Sequence, residues 1–203
     1  QGDYCETLWL GDDGAPYVTG YQPFFEEGGF ARFVQAENRW VNFSNVDYPV
    51  IGDPALVGSS RISDIERDAQ GNLWMGTWRG ALFFDPVAGA ASLRRFDASN
   101  SPFPGGRAAD VAIAPDGTVW FAVLALSWGS GGLVRHDPAS GAWTAWSYGS
   151  TANGWPSLST SCDTVSIQPK PGGGYSVWIH SDNTAAMLRF DSASQTFTEH
   201  PAS

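Results

Sequence analysis

Asp68-Ala-Gln-Gly-Asn-Leu-Trp-Met-Gly-Thr-Trp-Arg-Gly-Ala-Leu-Phe-Phe-Asp-Pro86 is the stretch whose reading decides the fold of this 203-residue chain. It opens on a tight Gln70-Gly71-Asn72 turn and runs through a short apolar strand centred on Trp74. A Gly-bearing loop follows, then a second apolar strand that ends in Asp85-Pro86. Gly tolerates positive φ, and Pro fixes φ at the leading corner of a turn. Both ends of the stretch are therefore turn signals with a mechanism.

The same unit is written four times. Pro115-Asp116-Gly117-Thr118-Val119-Trp120-Phe121 aligns with Ala69 to Met75, and Leu133 to Gly141 aligns with Ala81 to Gly89. A fourth copy holds Tyr175-Ser176-Val177-Trp178-Ile179 and then Met187-Leu188-Arg189-Phe190-Asp191. The first copy is the most degraded, with Asp13-Gly14-Ala15-Pro16-Tyr17-Val18 and then Phe30-Ala31-Arg32-Phe33. With Phe33, Phe84, His136 and Phe190 as equivalent points, the spacings are 51, 52 and 54 residues. Repeats of this length, each read as four short strands, are the signature of a β-propeller.

Each unit is read as strands A to D. Strand A covers Thr7 to Leu10, Ile62 to Glu66, Asp110 to Ala114 and Asp163 to Gln168. Strand B carries Tyr17, Trp74, Trp120 or Trp178, and strand C leads to the Asp-Pro turn or its equivalent. Strand D covers Trp40 to Phe43, Leu93 to Phe96, Trp143 to Trp146 and Phe197 to His200. The expectation is an all-β fold: one propeller domain over 1–203, with four four-stranded antiparallel blades near 5–45, 60–98, 107–148 and 160–201. These blades either close a four-bladed ring or form part of a larger propeller. Trp74, Trp120, Trp178, Trp40 and Trp143 are expected in the core between blades.

Composition agrees. Only 16% of residues are charged, whereas long amphipathic helices need a polar face rich in Glu, Lys and Arg. With 11 Lys and Arg spread thinly and a net charge of −10, a nucleic-acid-binding surface is excluded. No apolar run approaches the roughly 18 residues of a spanning helix, so membrane insertion is not expected. The first residue, Gln1, fits a processed chain, and a secreted or periplasmic location is expected.

Cys5 lies five residues before Leu10, and Cys162 five before Ile167. The two cysteines thus hold one position in the first and last units. A Cys5–Cys162 disulfide clasping a closed ring across its seam is the expectation. The alternatives are a longer propeller or self-association of two copies into eight blades.

The Asp-x-x-Gly-x-Leu-Trp-x-Gly-Thr and Phe-Asp-Pro-x-x-Gly pattern of Asp68 to Gly89 resembles the propeller repeats in periplasmic sensor regions of two-component regulators. The third and fourth units are similar to blades of the streptogramin-lyase (virginiamycin B lyase) group. That second resemblance implies catalysis by His and Glu with a divalent metal, the Glu standing three residues after the strand-B aromatic. Here the equivalent pairs are Thr19-Gly20, Gly76-Thr77, Ala122-Val123 and His180-Ser181, and none contains Glu.

In a propeller the B–C loops and D–A connections share one end of the blades, and loops on a rigid scaffold carry function. That topology collects Tyr21, Phe24, Phe25, Trp78, Arg79, Trp128 and Trp155 as candidate ligand-binding residues, with His180 where strand B enters its loop. Aromatics beside Gly and Ser suit stacking on sugar rings or a groove for a protein. Asp12 and Asp13 are explained by turn chemistry. No Ser-His-Asp set, phosphate-cradling loop or Cys-x-x-Cys motif is present. The functional expectation is a non-catalytic binding or assembly module for a protein or carbohydrate partner, without catalytic residues, metal or other cofactor. The alternatives are a metal-dependent lyase and the input domain of a signalling receptor.

Overall fold

The computed structural model describes all residues except 1–3, 12–13, 23–26, 54–58, 128, 157–160, 182–185 and 202–203. The described residues form four four-stranded antiparallel sheets, each a meander in chain order. Blade one contains β1 (Tyr4–Leu10), β2 (Pro16–Gln22), β3 (Glu27–Val34) and β4 (Arg39–Ser44). Blade two contains β5 (Ile62–Arg67), β6 (Leu73–Thr77), β7 (Gly80–Phe84) and β8 (Arg94–Phe96). Blade three contains β9 (Arg107–Ile113), β10 (Val119–Leu124), β11 (Gly132–Asp137) and β12 (Ala142–Ser147). Blade four contains β13 (Cys162–Pro169), β14 (Tyr175–Ser181), β15 (Ala186–Asp191) and β16 (Thr196–Pro201). These are blades of a β-propeller, with strands where the repeat placed them. The only helical turns among the described residues are short 3-10 segments. The chain divides into two compact units, Gln1–Arg95 and Phe96–Ser203.

Register makes the repeat physical. Tyr17 faces Arg32, Trp74 faces Phe83, Trp120 faces Arg135 and Trp178 faces Arg189 on the neighbouring strand. In three of these pairs the guanidinium lies over the ring, at 5.8 Å for Arg32, 5.7 Å for Arg135 and 5.9 Å for Arg189. In blade two an edge-on Trp74–Phe83 contact at 5.0 Å replaces the cation–π pair. The four strand-B aromatics therefore occupy one position in one repeated sheet.

A second repeated feature went unseen in the sequence. The pairing of strands A and B slips by one residue at the same place in every blade: between Cys5 and Leu8, Ile62 and Asp64, Ala122 and Val123, and Cys162 and Thr164. A bulge bends its strand and increases local twist. These four sit where strand B runs into its loop.

Within the first unit, the Tyr17, Phe30 and Phe43 face of blade one packs on Ile62, Ile65, Leu73, Met75, Leu82 and Phe84 of blade two. Within the second, Trp120, Leu133 and Trp146 of blade three pack on Val165, Val177, Ile179, Leu188, Phe190 and Phe197 of blade four. The strand-A residue after the bulge adds a polar tie in each unit. The Thr7 hydroxyl donates to the Ser63 carbonyl at 3.1 Å, and the Asp110 carboxylate accepts from the Val165 N–H at 2.8 Å.

The tryptophans expected in the core separate. Trp120 is buried in the second unit, and Trp74 is buried against Phe83. Trp143 and Trp178 are half-buried. Trp40 is 45% exposed, a correction to the expected core set, because it lies with Phe33 on the opposite face of blade one. The expected disulfide is a second correction. Cys5 and Cys162 are thiols, Cys5 exposed on β1 and Cys162 enclosed in the second unit's core beside Val165 and Ile179. The two do share a register position before the bulge, but that position is surface in one blade and core in the other. Native protein should therefore yield one fast-reacting thiol to a water-soluble thiol reagent and two after denaturation. Cys5→Ser should abolish the fast phase, as read by absorbance of the released chromophore.

His136 takes the strand-C place filled by Phe84 and Phe190. It is buried, stacks on Trp143 at 4.1 Å, and its Nδ1 lies 3.3 Å from the Ala142 carbonyl. Burial pushes its pKa below the usual 6.5, because the charged ring would lose water without full compensation. The unfolded chain then binds the proton first, so this site costs stability as pH falls through 6.5. His136→Phe should remove that loss. Urea midpoints for the variant and the natural chain should diverge steadily as pH falls from about 7 to about 5.

Candidate functional site: the loop ends of the blades

Hydrogen bonds bring B–C loops and D–A connections together within each unit. In the first unit the Trp78 N–H donates to the Arg61 carbonyl at 3.0 Å, joining the β6–β7 hairpin to the segment before β5. In the second, the Ala125 N–H donates to the Ser161 hydroxyl at 3.0 Å. These contacts join loops separated by many residues in sequence.

The best-defined constellation is in the first unit. Trp78 and Arg79 form the two-residue loop between β6 and β7. The Thr77 hydroxyl donates to the Gly80 carbonyl at 2.9 Å and closes this turn. The Arg61 guanidinium lies over the Trp78 ring at 4.3 Å, and Arg79 is exposed beside it. Arg95 braces the assembly from below. Its Nη1 donates to the carbonyls of Ile51 at 2.6 Å and Ser59 at 3.1 Å, and its Nη2 to that of Arg79 at 3.0 Å. Backbone contact is close here as well. A Cβ on Gly52 would fall 2.5 Å from the Ser60 nitrogen, so only glycine lets the connection pass.

The other candidates fall differently. Tyr21 lies on β2, but its side chain is outside the described residues, as are Phe24, Phe25 and Trp128. Trp155 is 2% exposed and stands edge-on to Phe197 at 5.1 Å, so it plugs the core of the second unit. His180 is exposed at the end of β14, and its Nδ1 lies 2.7 Å from the Asp163 carboxylate. Asp163 is the extra residue of the blade-four bulge, which explains how strands A and B bring this pair together. Asp182 and Asn183, expected near His180, lie outside the described residues, as do Asp12 and Asp13. Among the described residues no group of three or more His, Cys, Asp or Glu could hold a metal ion.

The sequence reading missed Arg61 and Arg95, whose roles depend on loops distant in sequence. It also missed a cleft of about 770 Å³ at the opposite end of the second unit, lined by Asp116, Arg135, Asp137, Tyr175, Ser192 and Gln195 among others. The Arg135 Nη1 donates to the Gln195 side-chain amide oxygen, Oε1, there at 2.8 Å. Burial raises the Tyr175 pKa, and a hydrogen bond from Ser140 leads the causes that lower that of Asp137. Nothing in the local sequence marked these as more than strand and turn residues of the repeat.

The profile of the two component regulator propeller family matches residues 57–79, a span that includes Arg61, Trp78 and Arg79. No curated protein matches the chain by sequence. Among solved structures, the chain is similar to the extracellular domain of a hybrid two component system from B. thetaiotaomicron: TM-score 0.63, 11% identity, covering 98% of this chain and 24% of that one. It is also similar to virginiamycin B lyase from Staphylococcus aureus: TM-score 0.59, 14% identity, covering 97% of this chain and 55% of that one. The chain thus spans about a quarter of the first relative and about half of the second. These likenesses show the propeller fold, and the two families are those the repeat pattern resembles.

If Arg95 is the brace that the geometry indicates, Arg95→Ala should free three carbonyls and loosen the Trp78–Arg79 turn at a cost of about 1–3 kcal/mol. Faster amide exchange confined to residues 51–61 and 78–80, with the strands of the second unit unaffected, is the expected readout.

Proposed function

We propose that the chain is the ligand-binding part of an extracytoplasmic sensor of the two-component-regulator type. In this reading it recognises a carbohydrate or protein partner through the loop ends of its blades and does not turn a substrate over. The observation that carries the proposal is the braced Trp78 turn: an aromatic ring stacked with Arg61, an exposed Arg79 beside it, and Arg95 tying three loop segments beneath. A rigid aromatic next to guanidinium donors is the chemistry of sugar-ring stacking and of protein hot spots. Its overlap with the residues that match the regulator-propeller family supports assigning it to sensing. The extracellular setting of the regulator domains with the same fold supports a location outside the cytoplasm.

A lyase is the competing reading, and the exposed His180–Asp163 pair is what favours it. The His-plus-Glu arrangement implied by the streptogramin-lyase resemblance is met only by His180, with Asp163 from another strand in place of the Glu.

Screening the chain against a glycan array and a peptide library, then titrating hits by calorimetry, tests the proposal. Trp78→Ala and Arg79→Ala should each weaken binding by about tenfold or more, equivalent to roughly 1.4 kcal/mol, while His180→Ala leaves it unchanged. Metal-dependent turnover that disappears in His180→Ala would instead establish the lyase.

A further inference from the structure

The A–B hairpin of blade four is longer than its counterparts. In the other blades this ladder stops one pair beyond the strand-B aromatic, at Leu10–Pro16, Arg67–Leu73 and Ile113–Val119. Blade four continues past Ile167–Val177 with Gln168–Ser176 and Pro169–Tyr175. The extension is braced. The Tyr175 N–H donates to the Ser192 hydroxyl at 2.8 Å, the Ser192 N–H donates to the Tyr175 carbonyl at 3.0 Å, and Lys170 pairs with the Asp191 carboxylate. The repeat does not require these residues. They form one wall of the cleft of about 770 Å³, whose other wall is the turn end of blade three. That volume lies within the roughly 300–1,000 Å³ of ligand pockets. All the lining residues belong to the second unit, so the cleft needs no further blade to form it. At the tip of the extended turn Gly172 and Gly173 carry no side chain to close the mouth, and an added Cβ on either would meet nothing within 4 Å.

Donors and acceptors converge in this cleft. Tyr175 is buried and belongs both to the core of the second unit and to the cleft lining. Burial is the largest influence on its hydroxyl and raises the pKa; the Thr118 hydroxyl and the Trp120 N–H act against that shift, and Asp116 adds to it. These three groups therefore gather around one phenol. The Trp120 Nε1–H is itself fully buried and meets no acceptor at hydrogen-bonding distance. A buried donor left without an acceptor is costly unless something other than the chain satisfies it. The Arg135 guanidinium directs Nη1 to Gln195 and Nη2 to the Thr144 hydroxyl, at 3.5 Å, and no carboxylate pairs with it among the described residues. It has five N–H donors, so others remain. Asp116 and Asp137 supply acceptors already oriented by backbone N–H groups of their own turns.

We propose that this cleft binds a small neutral polyhydroxylated molecule, a sugar or sugar alcohol of one or two rings' size. Two aspartates on the walls disfavour an anion, and the unpaired guanidinium disfavours a simple cation. A hydroxyl both donates and accepts, so neighbouring hydroxyls match carboxylate, guanidinium, phenol and indole N–H at close quarters. The site lies at the turn ends of the second unit, whereas Trp78 belongs to a loop end of the first, and the two proposals stand or fall separately.

Two-dimensional NMR of the isotope-labelled chain, titrated with glucose, galactose, xylose and sorbitol, tests the proposal. Glycine, glutamate and putrescine serve as charged controls. At least one of the four neutral compounds should shift the Trp120 indole N–H and the amides of residues 115–118 and 172–175 saturably. Tyr175→Phe keeps the ring in the core, and Asp116→Asn keeps an acceptor for the Thr118 N–H, so both should retain the natural spectrum elsewhere. Each should weaken the binding by about tenfold. The proposal is overturned if none of the four shifts these signals at its highest soluble concentration, if only the charged controls do, or if both variants bind as the natural chain does. Shifts confined to residues 76–80 also overturn it, while supporting the Trp78 site.

Discussion

A four-stranded sheet has two faces, and every blade in this chain makes both of them apolar or aromatic over part of their area. One blade alone cannot bury both. The packing of a strand-B aromatic with its cross-strand arginine onto the aliphatic face of the next blade is therefore the interaction on which the rest depends. It explains the position of Tyr17 and Trp120, the burial of Phe84 and Phe190, and the use of Arg at a half-buried site. The arginine stem covers ring surface while the guanidinium reaches the edge of the sheet, so a charged residue can serve in a largely dry contact. Arg135 shows this well, lying over both Trp120 and Trp146 at 5.7 Å and reaching Gln195 at its tip.

The bulges set what happens at the loop ends. Each inserts one strand-A residue where strand B is about to leave the sheet, and so turns the following side chain toward the neighbouring blade. Thr7 and Asp110 use that direction to bond the next blade, and Asp163 uses the extra residue itself to meet His180. Glycine completes the arrangement on strand C. Gly132 has φ +146, and a Cβ there would fall 2.0 Å from the Trp146 carbonyl oxygen, so strands C and D approach more closely than any other residue allows. The B–C loops leave from a rigid base, which is what a recognition loop needs.

The fold was legible because its signals are local and repeated. Turn dipeptides, the strand-B aromatic and a constant spacing recur four times, and each copy checks the others. The site was less legible because it is built from connections that do not repeat. Arg61 and Arg95 are single arginines in unlike contexts, and only the folded chain brings their side chains to Trp78 and to the carbonyls of Ile51, Ser59 and Arg79. Trp155 shows the opposite case: a loop tryptophan proposed from topology as a ligand contact is buried edge-on to Phe197, a burial that its loop sequence does not signal. The cysteines share a repeat position, yet that equivalence does not specify burial. Cys162 is covered by blade three, whereas Cys5 lies on an exposed strand.

The acidity of the chain follows from the same architecture. At the turn ends of the blades, Asp68, Asp85, Asp116, Asp137 and Asp191 each accept hydrogen bonds from backbone N–H groups two to four residues onward. An aspartate is chosen there because its short carboxylate satisfies donors that the tight turn leaves unpaired. Asp191 adds Lys170, and that hydrogen bond is the largest cause holding its pKa down to about 2. These charges are products of folding, not a description of a ligand. At the opposite end of the first unit, Arg61, Arg79 and Arg95 bring guanidinium groups to the constellation around Trp78. Net charge governs long-range behaviour, but a ligand within a few ångströms of Trp78 meets the local guanidinium groups first. A chain of net charge −10 can therefore present a site suited to neutral or anionic partners, and the excess of Asp does not argue against it.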